Sequence, residues 1–168
     1  PKTESTSETE EKPDEEPKKE PSICYTTHIQ DIGWQDWRYD GETAGTEGQS
    51  KRMEAIQIGF SNAPDGAKMR YKVHIQDIGW QDWKYDGTLA GTEGQSKRLE
   101  AIKIELEESD KYSIMYRVHI QDIGWQEWKY DGEVEYSFNE KKYHAKEFPI
   151  HSLRLHHKYD INQLGQQY

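Results

Sequence analysis

Apolar and polar residues alternate along two kinds of segment, and the two kinds take turns down the chain. In MRYKVHIQDIGW (Met69–Trp80), Val73 and Ile75 fall on one face and His74 and Gln76 on the other, the period of a half-buried strand. The alternation then slips by one residue, and Ile78 and Trp80 take over the apolar phase. A β-bulge at the glycine after Ile78 would produce such a slip. In RLEAIKIEL, Ile102, Ile104 and Leu106 alternate with Lys103 and Glu105, a second long strand. Between the two, DWKYD reads as a short strand, Asp86-Gly87 as a turn and AGTEGQS (Ala90–Ser96) as a Gly-rich loop. KRLEA alone would suit a helix, but IKIEL does not. The pattern predicts three or four strands and no helix, with Glu107–Lys111 turning tightly into the next long strand.

That succession is written three times. The phrases HIQDIGWQDWRYDG from His28, HIQDIGWQDWKYDG from His74 and HIQDIGWQEWKYDG from His119 hold all six tryptophans. His28–Ile58 and His74–Ile104 agree at 26 of 31 positions, differing at Arg38/Lys84, Glu42/Thr88, Thr43/Leu89, Met53/Leu99 and Gln57/Lys103. Similarity at a fixed period of this length marks a repeat architecture. The units are expected at 23–66, 67–111 and, in part, 112–134. Three all-β units of about 45 residues suit a closed pseudo-threefold fold, since closure protects strand edges. A β-prism is favoured, with a β-trefoil as the alternative and an open solenoid third. The triplets ending at Trp37, Trp83 and Trp128 spell the Q-x-W of ricin-type lectins, a mild nudge toward the trefoil.

The third unit departs after Gly132. Its one echo, Ser152-Leu153-Arg154-Leu155, resembles Ser96-Lys97-Arg98-Leu99 but arrives 21 residues after Asp131, against 10 after Asp86. Residues 135–168 are therefore either a degenerate closing strand behind an 11-residue insertion or unrelated sequence, with unrelated or degenerate text favoured.

Composition narrows the function classes. The 168 residues carry a net charge of −10, and 32% are charged. Mean hydropathy is −1.18. No apolar run approaches the roughly 20 residues of a membrane span. An acidic chain without a clustered basic stripe is a poor partner for nucleic acid or an anionic membrane. Residues 1–22 contain eight acids, four lysines and no large apolar side chain. They are expected to be a disordered linker, tethering the module to an upstream domain. Cys24 is the lone cysteine, so no internal disulfide is expected. The chain opens at Pro1 without a signal peptide, as a mature protein or an excised fragment would.

The text GWxxWxxDG…AGTxGxSxRLEAIxI resembles the ChW repeat, the clostridial hydrophobic repeat with a tryptophan. Gly79-Trp80, Trp83, Asp86-Gly87, Gly91-Thr92, Gly94, Ser96 and Arg98–Ile102 carry the match, with their counterparts from Gly33 to Ile56. It covers roughly residues 23–134 and stops where the third unit departs. The resemblance implies an extracellular, surface-associated protein of a Gram-positive anaerobe. It also implies non-catalytic modules that bind wall polymer, polysaccharide or protein.

The tryptophan pairs are the main candidate chemistry. Exposed indole faces stack on pyranose rings while amides and carboxylates fix the hydroxyls. Trp80 keeps phase with Ile78 and is expected in the core. Trp83 falls out of phase with it. The expected ligand contacts are therefore Trp37, Trp83 and Trp128, supported by Gln35, Asp36, Gln81, Asp82, Gln126 and Glu127. His28, His74 and His119 are expected to be hydrogen-bonded strand histidines; a shared metal site on a threefold axis has no acidic or sulfur partner at suitable spacing. His144, His151, His156 and His157 lack zinc-site spacing. Asp31, Asp36 and Asp40 recur in each unit, Glu127 substituting once. Triplicated carboxylates share one environment, whereas glycoside hydrolysis needs two tuned apart. Turn caps or sugar contacts are expected. Arg98 and Glu100 (with Arg52 and Glu54) are expected to pair internally. No catalytic residue, metal or cofactor is expected. The expected function is a multivalent polysaccharide-binding module, with a protein–protein adhesion module as the alternative.

Overall fold

The computed structural model describes residues 19–63, 66–107, 112–136 and 150–159. The expected linker lies almost wholly outside the described residues, as does the turn after Glu107. Described residues form strands and turns only, with no helix. The first unit contributes β1 (Ser22–Ile29), β2 (Gly33–Trp34), β3 (Arg38–Tyr39), β4 (Ala44–Gly45) and β5 (Met53–Ser61). The second contributes β6 (Lys68–Ile75), β7 (Gly79–Trp80), β8 (Lys84–Tyr85), β9 (Ala90–Gly91) and β10 (Leu99–Glu107). The third contributes β11 (Tyr112–Ile120), β12 (Gly124–Trp125), β13 (Lys129–Tyr130), β14 (Val134–Tyr136) and β15 (Ile150–Tyr159).

In each unit the two long strands pair antiparallel, and both short strands of the phrase fold back on the first long strand. The long strand therefore does not run on through a bulge to Trp80. It ends at Ile75, and Ile78 N donates to Ile75 O at 3.1 Å to close a turn. Asp77 (φ 62°) and Gly79 (φ 92°) take left-handed conformations there, which Asp tolerates and Gly allows at no steric cost. The bulge lies on the partner strand instead. The register skips Glu54 between Ile29↔Met53 and His28↔Ala55, and it skips Glu100 in the second unit.

The third unit closes in the same way. β15 pairs with β11 from Tyr112↔Tyr159 to Ile120↔Ile150. Ile150 thus occupies the place of Met53 and Leu99, each opposite the last residue of its long strand. The echo at Ser152–Leu155 is five positions out of that register. Ile150 follows Asp131 by 19 residues where Leu99 follows Asp86 by 13, so the surplus is six residues.

The strands make three five-stranded antiparallel sheets, and no closed barrel forms among the described residues. Each sheet borrows one short strand from another unit. β9 pairs with β5, β14 with β10 and β4 with β15, so the first unit is joined to the third as well as to the second. Gly91 lets β9 approach closely. A Cβ there would lie 2.4 Å from Glu54 O, and its φ is +114°.

Inward residues of the long strands merge into one core, including Ile23, Ile29, Ile56, Ile58, Met69, Val73, Ile75, Ile104, Ile114 and Val118. Each fully buried aliphatic side chain contributes about 1.5–3 kcal/mol. Tyr25, Tyr71 and Tyr116 are the largest fully buried residues. Their hydroxyls donate to Glu42 O, Thr88 O and Glu133 O. Tyr71 Oη also accepts from Ile58 N at 3.2 Å, and Tyr116 Oη from Ile104 N at 3.3 Å, both in the preceding unit. The buried phenols therefore fasten neighbouring units together.

Candidate functional site

Register decides which way the tryptophans face. Residues directly opposite across an antiparallel pair share a face. Trp34, Trp80 and Trp125 pair with His28, His74 and His119, and Tyr85 pairs with Arg70. Lys72 and His74 lie on the outer face of β6, because Tyr71, Val73 and Ile75 fill the core. The first tryptophan of each pair therefore joins the outer face. The expected burial of Trp80 is wrong: it is 37% exposed, and Ile78 is 50% exposed. Phase with Ile78 misled because Ile78 lies in the turn and Trp80 beyond it, where the alternation of β6 no longer applies.

Each outer face carries a histidine edge-on to the first indole, with ring centroids 5.5 Å apart in all three units. In two units that histidine also meets a carboxylate. His28 Nδ1 lies 3.1 Å from Glu54, and His74 Nδ1 lies 3.0 Å from Glu100. Arg52 and Arg98 reach the same carboxylates at 2.8 and 2.9 Å. The bulge aims each Glu back at the strand histidine, and the internal Arg–Glu pairing read from the sequence is present. Among the described residues no group of three His, Cys, Asp or Glu is placed to hold a metal.

The polar candidates divide. Gln35 Oε1 accepts from Gly45 N at 2.8 Å, and its Nε2 donates to Gly45 O at 3.3 Å. Gln81 holds Gly91 in the same way, at 2.8 and 3.2 Å. Both amides are occupied in fixing the borrowed strands. In the third unit Tyr136 stands at that register, and Gln126 Nε2 donates to Gly124 O at 2.9 Å instead. Asp36, Asp82 and Glu127 are exposed beside the second tryptophans. Asp40 and Asp131 are turn caps, accepting from Ile23 N at 3.0 Å and Ile114 N at 2.8 Å. Burial pushes Asp131 up to about 6, against the Ile114 and Leu106 N–H groups that favour its charge.

Trp37 is 43% exposed, and Trp83 and Trp128 are half-buried. Tyr39, Tyr85 and Tyr130, two residues on, are also exposed, at 54%, 42% and 43%. Sequence reasoning missed these tyrosines and Ile32 and Ile78. Their signal was the period-2 step from Trp37, Trp83 and Trp128 onto strands that pair with the outer face. It missed the cations as well. Arg70 lies 4.1 Å from the Trp83 ring centroid, and Lys72 lies 5.2 Å from Trp80 and 5.0 Å from Trp83. Arg117 sits between Trp125 and Trp128 at 5.0 and 4.7 Å. The neighbouring unit also reaches in, since Trp34 Nε1 donates to Glu93 in the Gly-rich loop of the second unit.

Against known families, the model described as Clostridial hydrophobic W (ChW) matches residues 28–62, 74–108 and 119–137, two full copies and one partial. No curated protein and no solved structure matches the chain.

Proposed function

The chain belongs to the clostridial hydrophobic W family, and from that premise we propose that it is a non-catalytic binding module for cell-wall or other polysaccharide, secreted or held at the surface of a Gram-positive bacterium. One observation carries the reading. The exposed large apolar side chains Ile32, Trp37, Tyr39, Ile78, Trp80, Tyr85 and Tyr130 all lie within the three copies of one phrase. Scattered exposed apolar residues are ordinary, but confinement to a repeated surface is not. Trp37 and Tyr39 offer rings to a pyranose, and Asp36 stands beside them to accept from hydroxyls. Linking copies of a weak site raises the avidity by about 10²–10⁴. The reading also includes three sheets set around one axis as a prism, supported by the passing of one short strand from each unit to another unit's sheet.

Ile32 and Ile78 favour a second reading. Half-exposed aliphatic side chains in the same phrases as the exposed rings suit an apolar protein interface better than a sugar. Pulldown on insoluble peptidoglycan, cellulose and xylan separates the two. Binding that free oligosaccharide competes away, and that Trp37→Ala weakens by removing the first site, supports the polysaccharide reading. Retention only on a protein partner, with no glycan bound, sinks it.

A further inference from the structure

The three tryptophan sites are not chemically alike, and the difference lies in one pair of cross-strand positions. In the first unit Thr26 faces Gln57. In the second Lys72 faces Lys103, and in the third Arg117 faces Arg154. From His28 and His74 onward the first two units are nearly identical, yet a neutral pair in the first stands where the second has a cationic one. We propose that the second and third sites are anion-selective subsites for an acidic glycan, whose carboxylate or phosphodiester groups seat against the cations beside the indoles, Lys72 and Lys103 in the second and Arg117 in the third, whereas the first site takes neutral sugar. This rests on the polysaccharide reading above and adds the charge class of the polymer.

Stability does not account for the cationic pairs. Like charges directly opposite in an antiparallel ladder destabilise it. A cation over an exposed indole recovers a loss of similar size. The two nearly cancel, and the first unit builds the same hairpin with Thr26 and Gln57. In the second unit Arg70 is already neutralised by Glu105 and by Glu107, the latter at 2.8 Å. Lys72 and Lys103 meet no carboxylate among the described residues. Their ammonium groups lie 5.0 and 5.6 Å from the Trp83 ring centroid, on half-exposed side chains that leave donors for a ligand. In the third unit Arg117 Nε is buried and has no hydrogen-bond partner among the described residues. A buried guanidinium donor left open beside two indoles is what a bound anion would satisfy. The overall charge of −10 does not forbid this, since charges beyond about 8–10 Å are screened at physiological salt.

The test measures the full chain against polygalacturonate, poly(glycerol phosphate) and a neutral β-glucan, at low and physiological salt. Lys72→Gln with Lys103→Gln should weaken the acidic polymers about tenfold, as loss of a charge-assisted contact does, and leave the glucan unchanged. Arg117→Gln should act likewise, and Thr26→Lys with Gln57→Lys should strengthen acidic-polymer binding at the first site. The two acidic polymers distinguish carboxylate from phosphodiester as the group preferred. Circular dichroism confirms folding, and if the lysine variant fails it the Thr26/Gln57 gain decides. Glucan binding with acidic-polymer binding indifferent to every variant overturns this inference alone. Charge-dependent acidic binding without any glucan binding overturns the neutral first site. Binding of neither class overturns both this inference and the proposed function.

Discussion

Replacing Tyr71 by Phe should weaken the whole fold while leaving its shape intact. The ring stays in the core, so no cavity forms. What goes is the hydroxyl that accepts from Ile58 N at 3.2 Å and donates to Thr88 O. Ile58 is fully buried, so its N–H loses its partner without reaching water, at a cost of about 1–3 kcal/mol. The lost bond to Thr88 O adds about 0.5–1.5 kcal/mol. The expected loss is therefore about 2–4 kcal/mol, a large part of the 5–15 kcal/mol that holds a typical domain. Urea unfolding followed by tryptophan fluorescence measures it, as a midpoint shift of about 1–2 M. Tyr39→Phe, 54% exposed, is the control and should stay within about 0.5 kcal/mol of the parent. Burial also pushes the Tyr71 phenol from 10.0 up to about 12. Its folded value lies above its unfolded one, so its contribution is intact below pH 10 and lost as pH rises toward 12. Tyr71→Phe should flatten that alkaline limb. Equal midpoints for Tyr71→Phe and Tyr39→Phe would refute the claim that the phenol bolts the first two units together.

Asp131, raised by burial from 3.8 to about 6, favours its protonated form when folded, so its contribution is present below pH 3.8 and lost as pH rises through 6. Asp131→Asn keeps an oxygen for Ile114 N and should remove that loss; urea midpoints between pH 4 and 7 would show a flatter profile and a gain at pH 7. Glu100→Ala leaves Arg98 and His74 without their shared carboxylate, and because both keep some solvent contact the cost should be about 1–3 kcal/mol by thermal or urea unfolding. Trp37→Ala should cost about 2–3 kcal/mol, since more than half of the indole is covered, and isothermal titration with oligosaccharide on the folded variant should show the first site gone. Unchanged titration of the first site would instead make Trp37 a structural residue only.

Much of this architecture is legible in the letters. Period-2 alternation places Val73, Ile75, Ile102 and Ile104 correctly in the core, and the repetition predicts units that share one plan. The Asp-Gly turns appear where expected, with Asp40 and Asp131 as caps. Errors arise where a residue's face depends on its partner strand. Trp80 looks inward when read along its own segment, but pairing with His74 turns it outward. The reversal at Gln76–Ile78 carries a local signal, Asp77 two residues before Gly79, that the alternation overshadowed. Gln35 and Gln81 read as ligand donors because nothing in the chain reveals that a glycine ten residues on consumes both ends of each amide. The closing strand of the third unit is hidden for a similar reason. Ile150, Leu153 and Leu155 keep the apolar places, but lost glycines and extra residues erase the surrounding text. The cations beside the indoles belong to no motif and emerge only from cross-strand register.

The strand exchange between the first and last units has a consequence for biosynthesis. Gly45 pairs with Ser152, more than a hundred residues later. A ribosome would complete the first hairpin long before the strand that receives β4 exists. Until β15 emerges, β4 lacks its partner strand, and closure of the third sheet must wait for it. So distant a contact slows folding and leaves a window in which proteases or other nascent chains can intervene. Loss of Ile150–Tyr159 would therefore unpair β4 of the first unit as well as β11 of the third.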